Sequence, residues 1–509
     1  MYSYVYGADI SGIEARTIRI EADVSDGLPV FDMVGFLASA VKEARERVRI
    51  AVRNMGIRFP AKRITINLSP ANLRKEGTSF DLPIAISLLN AFGYLADDVT
   101  KDTMFIGELG LDGTVRSVRA VLAMILQGRR RGIRRFLVPA ENAAEGGVLE
   151  DIQVFGVRSL NEALGFLRGE LTLVPRHFSF QELAQETSDV PDFSEICGNT
   201  GLKRAAEIAV SGRHNLLLIG PPGSGKTMLA RRLPGIMPAM DLEESLEVTR
   251  LYSICGMLSA DVPVVTRRPF RTPHHTVTAA ALTGGGRIPV PGEITLASKG
   301  VLFLDELPEF SRNSLEVLRQ PLEEHRVTVS RVGHSEEYPS DCIFVAAMNP
   351  CHCGFYPDRS RCHCTVGEIR RYLGKVSEPI LDRLDICVET GAPEFHLYGE
   401  EGETSRQIRE RVQRTVLIQR KRYGKESFAY NGELPERALK RYCRLRRSEE
   451  EFLEDFFQAE ECSSRRISRI LKVARTIADM EEEEQIGESH IAEAVSLRSI
   501  DRKYWGAEL

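Results

Sequence analysis

Apolar and polar positions divide the chain of 509 residues into stretches of different period. Over residues 1–170, short runs such as RTIRIEADV, RITINLSP, RRFLVPA and IQVFGV predict strands. Between them, ASAVKEARERVRIAVRNMG repeats its apolar positions near the 3.6-residue period and turns its charges to the other face, which predicts an amphipathic helix. The mixture is an α+β pattern. Residues 171–195 (LTLVPRHFSFQELAQETSDVPDFSE) lose the periodicity, carry Pro and polar residues, and read as a linker. From 196 to 390, apolar strands alternate with helices, the order expected of a parallel α/β sheet. Residues 391–509 read as helices. No apolar run approaches the ~20 residues a membrane helix needs, so no membrane association is expected.

Composition changes this picture little. With 43% hydrophobic and 27% charged residues, the chain is neither disordered nor collagen-like. The start, MYSYVYGADISG, has no basic segment followed by an apolar one, so no secretory leader is expected. Ten cysteines in so long a chain then predict a reducing, cytoplasmic setting, with thiols buried or used as metal ligands. The formal charge of −5, from 67 Lys and Arg against 72 Asp and Glu, argues against a basic nucleic-acid coat. The charge is unevenly spread, however. Residues 404–447 hold 14 Lys and Arg against 4 Asp and Glu, followed by the acidic runs SEEEFLEDFF and DMEEEEQ. The basic stretch is either a nucleic-acid face or a solvated helix surface.

The sharpest chemical signal is NLLLIGPPGSGKTMLA, an apolar strand that enters Gly220-Pro221-Pro222-Gly223-Ser224-Gly225-Lys226-Thr227 and leaves as a helix. Glycines there let backbone N–H groups curl around phosphate oxygens, and the helix start adds its positive dipole end. Lys226 is expected at the β- and γ-phosphates and Thr227 on Mg²⁺. A second strand, VLFLDELPEF, ends in Asp305, placed to hold the hydrated Mg²⁺, and Glu306, placed to polarise an attacking water. A third, CIFVAAMNP, ends in Asn349, a polar tip that could orient the same water or simply cap the strand exit. The three strand ends describe a nucleoside-triphosphate hydrolase.

These strands resemble Walker A, Walker B and sensor 1 of the AAA+ superfamily. SEPILDRLDICVE is similar to its arginine-finger box, which makes Arg383 the residue that would reach a neighbouring subunit's γ-phosphate. SSRRISRILKVARTIADM resembles the sensor-2 helix of the lid, with Arg465 the better match and Arg469 the alternative. RPFRTPHHTVTAAALTGGGRIPVPGEITLASKGVLFLDE resembles the helix-2-insert branch, which holds magnesium-chelatase motors and MCM helicases. Across its length the chain is similar to the ComM/YifB family of magnesium-chelatase-like AAA+ proteins. That resemblance implies ATP and Mg²⁺ as cofactors, a hexameric ring, and branch migration of DNA during natural transformation.

The first region resembles the Lon proteolytic fold. RKEGTSFDLPIAISLL is similar to the Lon nucleophile segment and puts Ser79 at the serine. GELGLDGTVRSVRAVL resembles the segment of the catalytic lysine, whose position falls on Leu122. Leucine cannot take a hydroxyl proton, and the neighbouring Arg116 and Arg119 stay protonated. No peptidase activity is expected. The cluster Arg129, Arg130, Arg131, Arg134 and Arg135 is either a phosphate-tracking patch or plain solvated charge.

The expected architecture is thus an α+β Lon-like domain (1–170), a linker (171–195), a P-loop AAA+ core with a parallel sheet (196–390) and an α-helical lid (391–509). Within the core, PCHCGFYPDRSRCHC brings Cys351, Cys353, Cys362 and Cys364 into an insert over 351–364. Two such arms can fold back to offer Zn²⁺ four thiolates, with His352 or His363 as substitutes, and otherwise hold free thiols or a redox clip. EEHRVTVSRVGHSEEYP alternates around Gly333 and predicts a hairpin. In the MCM-like branch such a hairpin grips DNA in the ring's pore, which makes Arg326, Arg331 and His334 candidate contacts. Arg287 in TGGGRIPVPGEI is another. Without a base-reading motif, these contacts should go to the backbone of single-stranded or branched DNA and weaken with salt. The leading expectation is an ATP-driven, hexameric DNA-remodelling motor. The alternatives are a motor subunit of a metal-chelatase-type complex, a Lon-like ATP-dependent protease, which Leu122 disfavours, and a slow nucleotide-dependent scaffold.

Overall fold

The computed structural model describes residues 1–509 other than 97, 186–189, 197, 259–261, 287–289, 332–333, 392–401, 461–463, 499 and 506–509. They form two compact units, Met1–Glu186 with Asp241–Thr266, and Thr187–Met240 with Arg267–Leu509.

The first unit is built on a mixed sheet of seven strands. Their order is Val30–Val34, Arg63–Ser69, Glu14–Ser25, Tyr2–Ser11, Thr103–Phe105, Arg135–Pro139 and Gln153–Val157. The long hairpin Tyr2–Ser11/Glu14–Ser25 pairs antiparallel, whereas the strands from Thr103 onward add in parallel. The amphipathic helix Ser39–Asn54 buries Val41, Ala44, Val48, Ala51 and Val52, the apolar stripe of the sequence pattern. Helix Asp81–Ala91 is buried on every side, as its near-continuous apolar composition requires. Ser79, just before it, is buried and donates to the Ala8 carbonyl at 3.3 Å. Leu122 is fully buried in helix Val121–Arg130, and its N–H donates to Glu145 Oε2 at 3.1 Å.

The second unit carries a parallel sheet of five strands in the order Phe270–Arg271, Val301–Leu304, Ile343–Met348, Leu216–Ile219 and Ile386–Glu389. The last four are buried or nearly so along their length, which is why they read as unbroken apolar runs. Helices Thr200–Gly212 and Lys226–Ile236 pack with them, and helices Ser405–Tyr423 and Ser464–Met480 join the same hydrophobic cluster through Val412, Val416, Ile470, Val473 and Ile477. Strands Arg326–Arg331 and His334–Pro339 form the expected antiparallel hairpin.

The units divide the chain differently from the periodicity. The stretch read as a linker is split between them. Phe178 N–H bonds Gly147 O at 2.9 Å in the first unit, ahead of a short helix Phe180–Gln185. Asp192 caps a turn in the second, where Phe193 is fully buried and its N–H donates to Ser405 Oγ at 2.8 Å. The segment Asp241–Thr266, read as part of the α/β region, groups with the first unit instead. Its helix Leu242–Ile254 contributes Leu246 to the cluster around Leu122 and Ile125, and Ser253 Oγ donates to Glu145 Oε2 at 2.6 Å. Periodicity reveals the helix; it carries no information on which surface that helix covers.

Candidate active site

Three adjacent parallel strands, Leu216–Ile219, Ile343–Met348 and Val301–Leu304, each end in a polar group, so their carboxyl ends gather the site. After the first, the chain curls through Pro221–Ser224 and enters helix Lys226–Ile236 at Gly225, whose φ of 87° suits a residue without Cβ. Lys226 Nζ donates to Gly220 O and Pro221 O, both at 2.8 Å, and to Asn349 Oδ1 at 3.3 Å. Burial pulls the Lys226 ammonium below its ordinary pKa, with the Asp305 carboxylate opposing. Thr227 Oγ1 donates to Asp305 Oδ2 at 2.7 Å. Two oxygens so close match one edge of an Mg²⁺ octahedron, about 2.9 Å for bonds of ~2.1 Å. Thr227 and Asp305 therefore fit as the metal's protein ligands. Lys226, Thr227, Asp305 and Asn349, predicted from separate motifs, converge in one constellation.

Glu306 adopts φ 53°, a left-handed conformation unusual for a residue with Cβ and common where function fixes the backbone. Its N–H is tied to Asp305 Oδ1 at 2.9 Å, and its carboxylate is more than half exposed. His275 Nδ1 lies 3.6 Å from Glu306 Oε2. His275 is stacked on His274 at 4.0 Å between ring centroids, in a turn closed by Val277 N–H on His274 O. Ser314 Oγ anchors that turn by donating to Val277 O at 2.9 Å. His275 and Thr390 lie outside the sequence motifs that mark the rest of the site. Thr390, at the end of the fifth strand, pairs its hydroxyl with Ser224 Oγ at 2.6 Å and steadies the phosphate loop. The signal for Thr390 was the one that marks Asn349, a polar tip on an apolar run, and for His275 a polar pair after the edge strand.

Other candidates lie as follows. Arg383 is folded back within the chain, donating to Arg319 O at 3.0 Å and Pro379 O at 2.7 Å and pairing with Glu323. Arg465 is exposed on helix Ser464–Met480. Arg469 is bound to Asp385 Oδ1 at 2.6 Å, and although buried, Asp385 is held well below the usual carboxylate range by Arg469 and His214. Arg326 is exposed and pairs with Glu324 at 3.2 Å and Glu337 at 3.7 Å. Arg287 lies outside the described residues, as do the side chains of Arg331 and His334. In the arginine cluster, Arg129 and Arg134 converge on Asp151.

The sulfurs of Cys351, Cys353, Cys362 and Cys364 all lie within 4.8 Å of one another, with separations of 3.3, 3.7 and 3.5 Å among the first three. A tetrahedral Zn²⁺ with Zn–S bonds of ~2.3 Å spaces its sulfurs by about 3.8 Å, so the four thiols fit that metal. Against the effect of burial, hydrogen bonds from Phe355 N–H and the neighbouring thiols lower the Cys353 pKa, whereas burial and the neighbouring thiols push Cys362 and Cys364 up.

Comparison with known proteins gives matches along most of the chain. Residues 192–396 match the family described as magnesium chelatase, subunit ChlI; 20–142 match subunit ChlI of Mg-chelatase; and 402–498 match the C-terminal part of that subunit. YifB of Salmonella typhimurium is 42% identical over 96% of this chain and 96% of its own. Competence protein ComM of Haemophilus influenzae is 41% identical over 98% of this chain and 97% of its own. Lon protease 1 of Sorangium cellulosum is 27% identical over 32% of this chain and 21% of its own.

Proposed function

The chain belongs to the ComM/YifB family of magnesium-chelatase-like AAA+ proteins, and from that premise we propose that it is an ATPase that couples hydrolysis to movement on branched or single-stranded DNA. The observation that carries the ATPase reading is the joined constellation of Lys226 with Asn349 and Thr227 with Asp305. When phosphate enters, loop N–H groups donate to its oxygens and Lys226 exchanges loop carbonyls for β- and γ-phosphate oxygens. Thr227 and Asp305 would hold Mg²⁺, which would supply neutralising charge at those phosphates. Glu306 takes the proton of the attacking water, Asn349 orients that water, and His275 holds the Glu306 carboxylate in place. Arg383 is the proposed finger for a neighbouring subunit, reached by exchanging Glu323 for phosphate, and Arg465 the proposed lid sensor. The Arg383 role requires a neighbouring subunit, which we place in a hexameric ring acting in the cytoplasm.

The DNA reading rests on the full-length likeness to a competence protein and on the hairpin Arg326–Arg331/His334–Pro339. Branch migration in recombination or natural transformation is the specific activity proposed. The magnesium-chelatase family matches favour a second reading, a motor that remodels a metal-chelatase-type partner. Measuring ATPase with and without forked DNA separates the two. Stimulation by DNA supports the first, and a rate indifferent to DNA that responds to a protein partner supports the second. The protease reading is disfavoured by Leu122, buried and apolar, and by Ser79, whose hydroxyl is engaged by a strand carbonyl.

A further inference from the structure

The cysteine insert leans directly on the phosphate loop. Gly354 has φ 84°, and a Cβ built there would stand 2.4 Å from Pro222 Cδ and 3.0 Å from its Cγ, so only a glycine lets the two backbones meet. Pro222 follows Pro221, whose carbonyl accepts from Lys226, and precedes Ser224, tied to Thr390. The glycine-rich loop is thus braced at Ser224 by Thr390 and at Pro222 by Gly354. The brace at Thr390 belongs to the sheet. The brace at Gly354 belongs to a fourteen-residue insert in which only Cys351, Gly354 and Cys362 are buried. Around them, Arg361 lies over Phe355 at 4.1 Å and Arg359 over Tyr356 at 5.1 Å, and the His352 and Tyr356 rings meet the buried Tyr372 and Tyr504 at 4.6 and 6.1 Å between centroids. An insert with so little core leans on the four thiols for its shape, and a metal site of this kind contributes its binding energy as folding energy.

We propose that the four-cysteine knot is a metal-dependent strut for nucleotide binding: Zn²⁺ on Cys351, Cys353, Cys362 and Cys364 fixes Gly354 against Pro222, and that contact sets the curvature of the phosphate loop. Loss of the metal releases Gly354, the loop loses its brace at Pro222, and affinity for nucleotide falls. Gly354 acts here as a positioning residue, through Pro222. The proposal rests on the nucleotide-site reading above and adds to it a metal-linked control of that site.

The test uses the full chain. Zinc per chain is measured by mass spectrometry, and affinity for a fluorescent ATP analogue is measured at fixed millimolar Mg²⁺, before and after stripping with a zinc-selective chelator and after restoring Zn²⁺. Stripping is expected to weaken nucleotide binding at least ~5-fold, and Zn²⁺ to restore it. Gly354→Ala provides a second arm, since its Cβ must push Pro222 away. It is expected to weaken binding by at least about the same factor, whether or not zinc stays bound. An affinity unchanged within about twofold in either the stripped protein or Gly354→Ala overturns the proposal. A chain purified without zinc whose nucleotide affinity does not rise when Zn²⁺ is supplied overturns it too, while leaving the nucleotide site intact. Failure of the zinc-loaded chain to bind nucleotide overturns the nucleotide-site reading itself.

Discussion

Glu306 and His275 face each other across 3.6 Å, and the division of labour between them can be measured. On the proposed role of Glu306 as base, Glu306→Gln should lower turnover about 10²- to 10⁴-fold and leave nucleotide affinity within about twofold, because a base acts on water and not on phosphate binding. His275→Ala should lower kcat with little change in KM, and His275→Asn should recover part of the loss by restoring a polar neighbour to the carboxylate. Equal loss in both variants would show that the ring only fills space. A different residue-scale effect is expected in the first unit. Burial, partly offset by the N–H groups of Ile10 and Glu76, raises the carboxyl of Asp9 to about 7. Its folded pKa lies above the unfolded value near 3.9, so the folded state holds the proton more tightly. Stability contributed by that proton is full below about pH 4 and is lost as pH rises to about 7. Asp9→Asn should therefore raise the melting temperature at pH 8 more than at pH 4, as read by thermal unfolding across that range.

At the scale of elements, what could be read from sequence was whatever depends on neighbours in the chain. The strands ending in Asp305 and Asn349, the phosphate loop and the hairpin each announce themselves within about a dozen residues, because apolar run, turn and polar tip are local events. The fate of helix Leu242–Ile254 was not legible, since its apolar face fixes that it is buried but not which cluster receives it. Arg383 shows the same limit for charge. Its partner Glu323 lies sixty residues earlier, and no local pattern reveals the pair. Part of the basic stretch 404–447 is paired the same way, Arg411 with Glu207 and Glu403, Arg422 with Asp479, and Arg441 with Glu426. The hairpin is the better candidate for a DNA contact. Arg331→Ala with His334→Ala should reduce DNA-stimulated hydrolysis and flatten its dependence on salt, since each lost phosphate contact lowers the salt slope by roughly one.

For the whole molecule, net charge is a poor guide to partners. The total of −5 is the balance of paired basic helices and acidic runs, and a motor that encircles DNA needs positive charge only where the track passes. Among the described residues no helix is long and apolar enough to cross a membrane. The central claim is that nucleotide hydrolysis at Lys226, Asp305 and Glu306 drives work on DNA. ATP hydrolysis measured with and without single-stranded and forked DNA at low salt, beside strand exchange on a synthetic four-way junction, tests it most directly, with Glu306→Gln as control. The account predicts that DNA accelerates hydrolysis and that the junction moves only with ATP and an intact Glu306. A chain that neither binds DNA nor changes its rate in DNA's presence would contradict it.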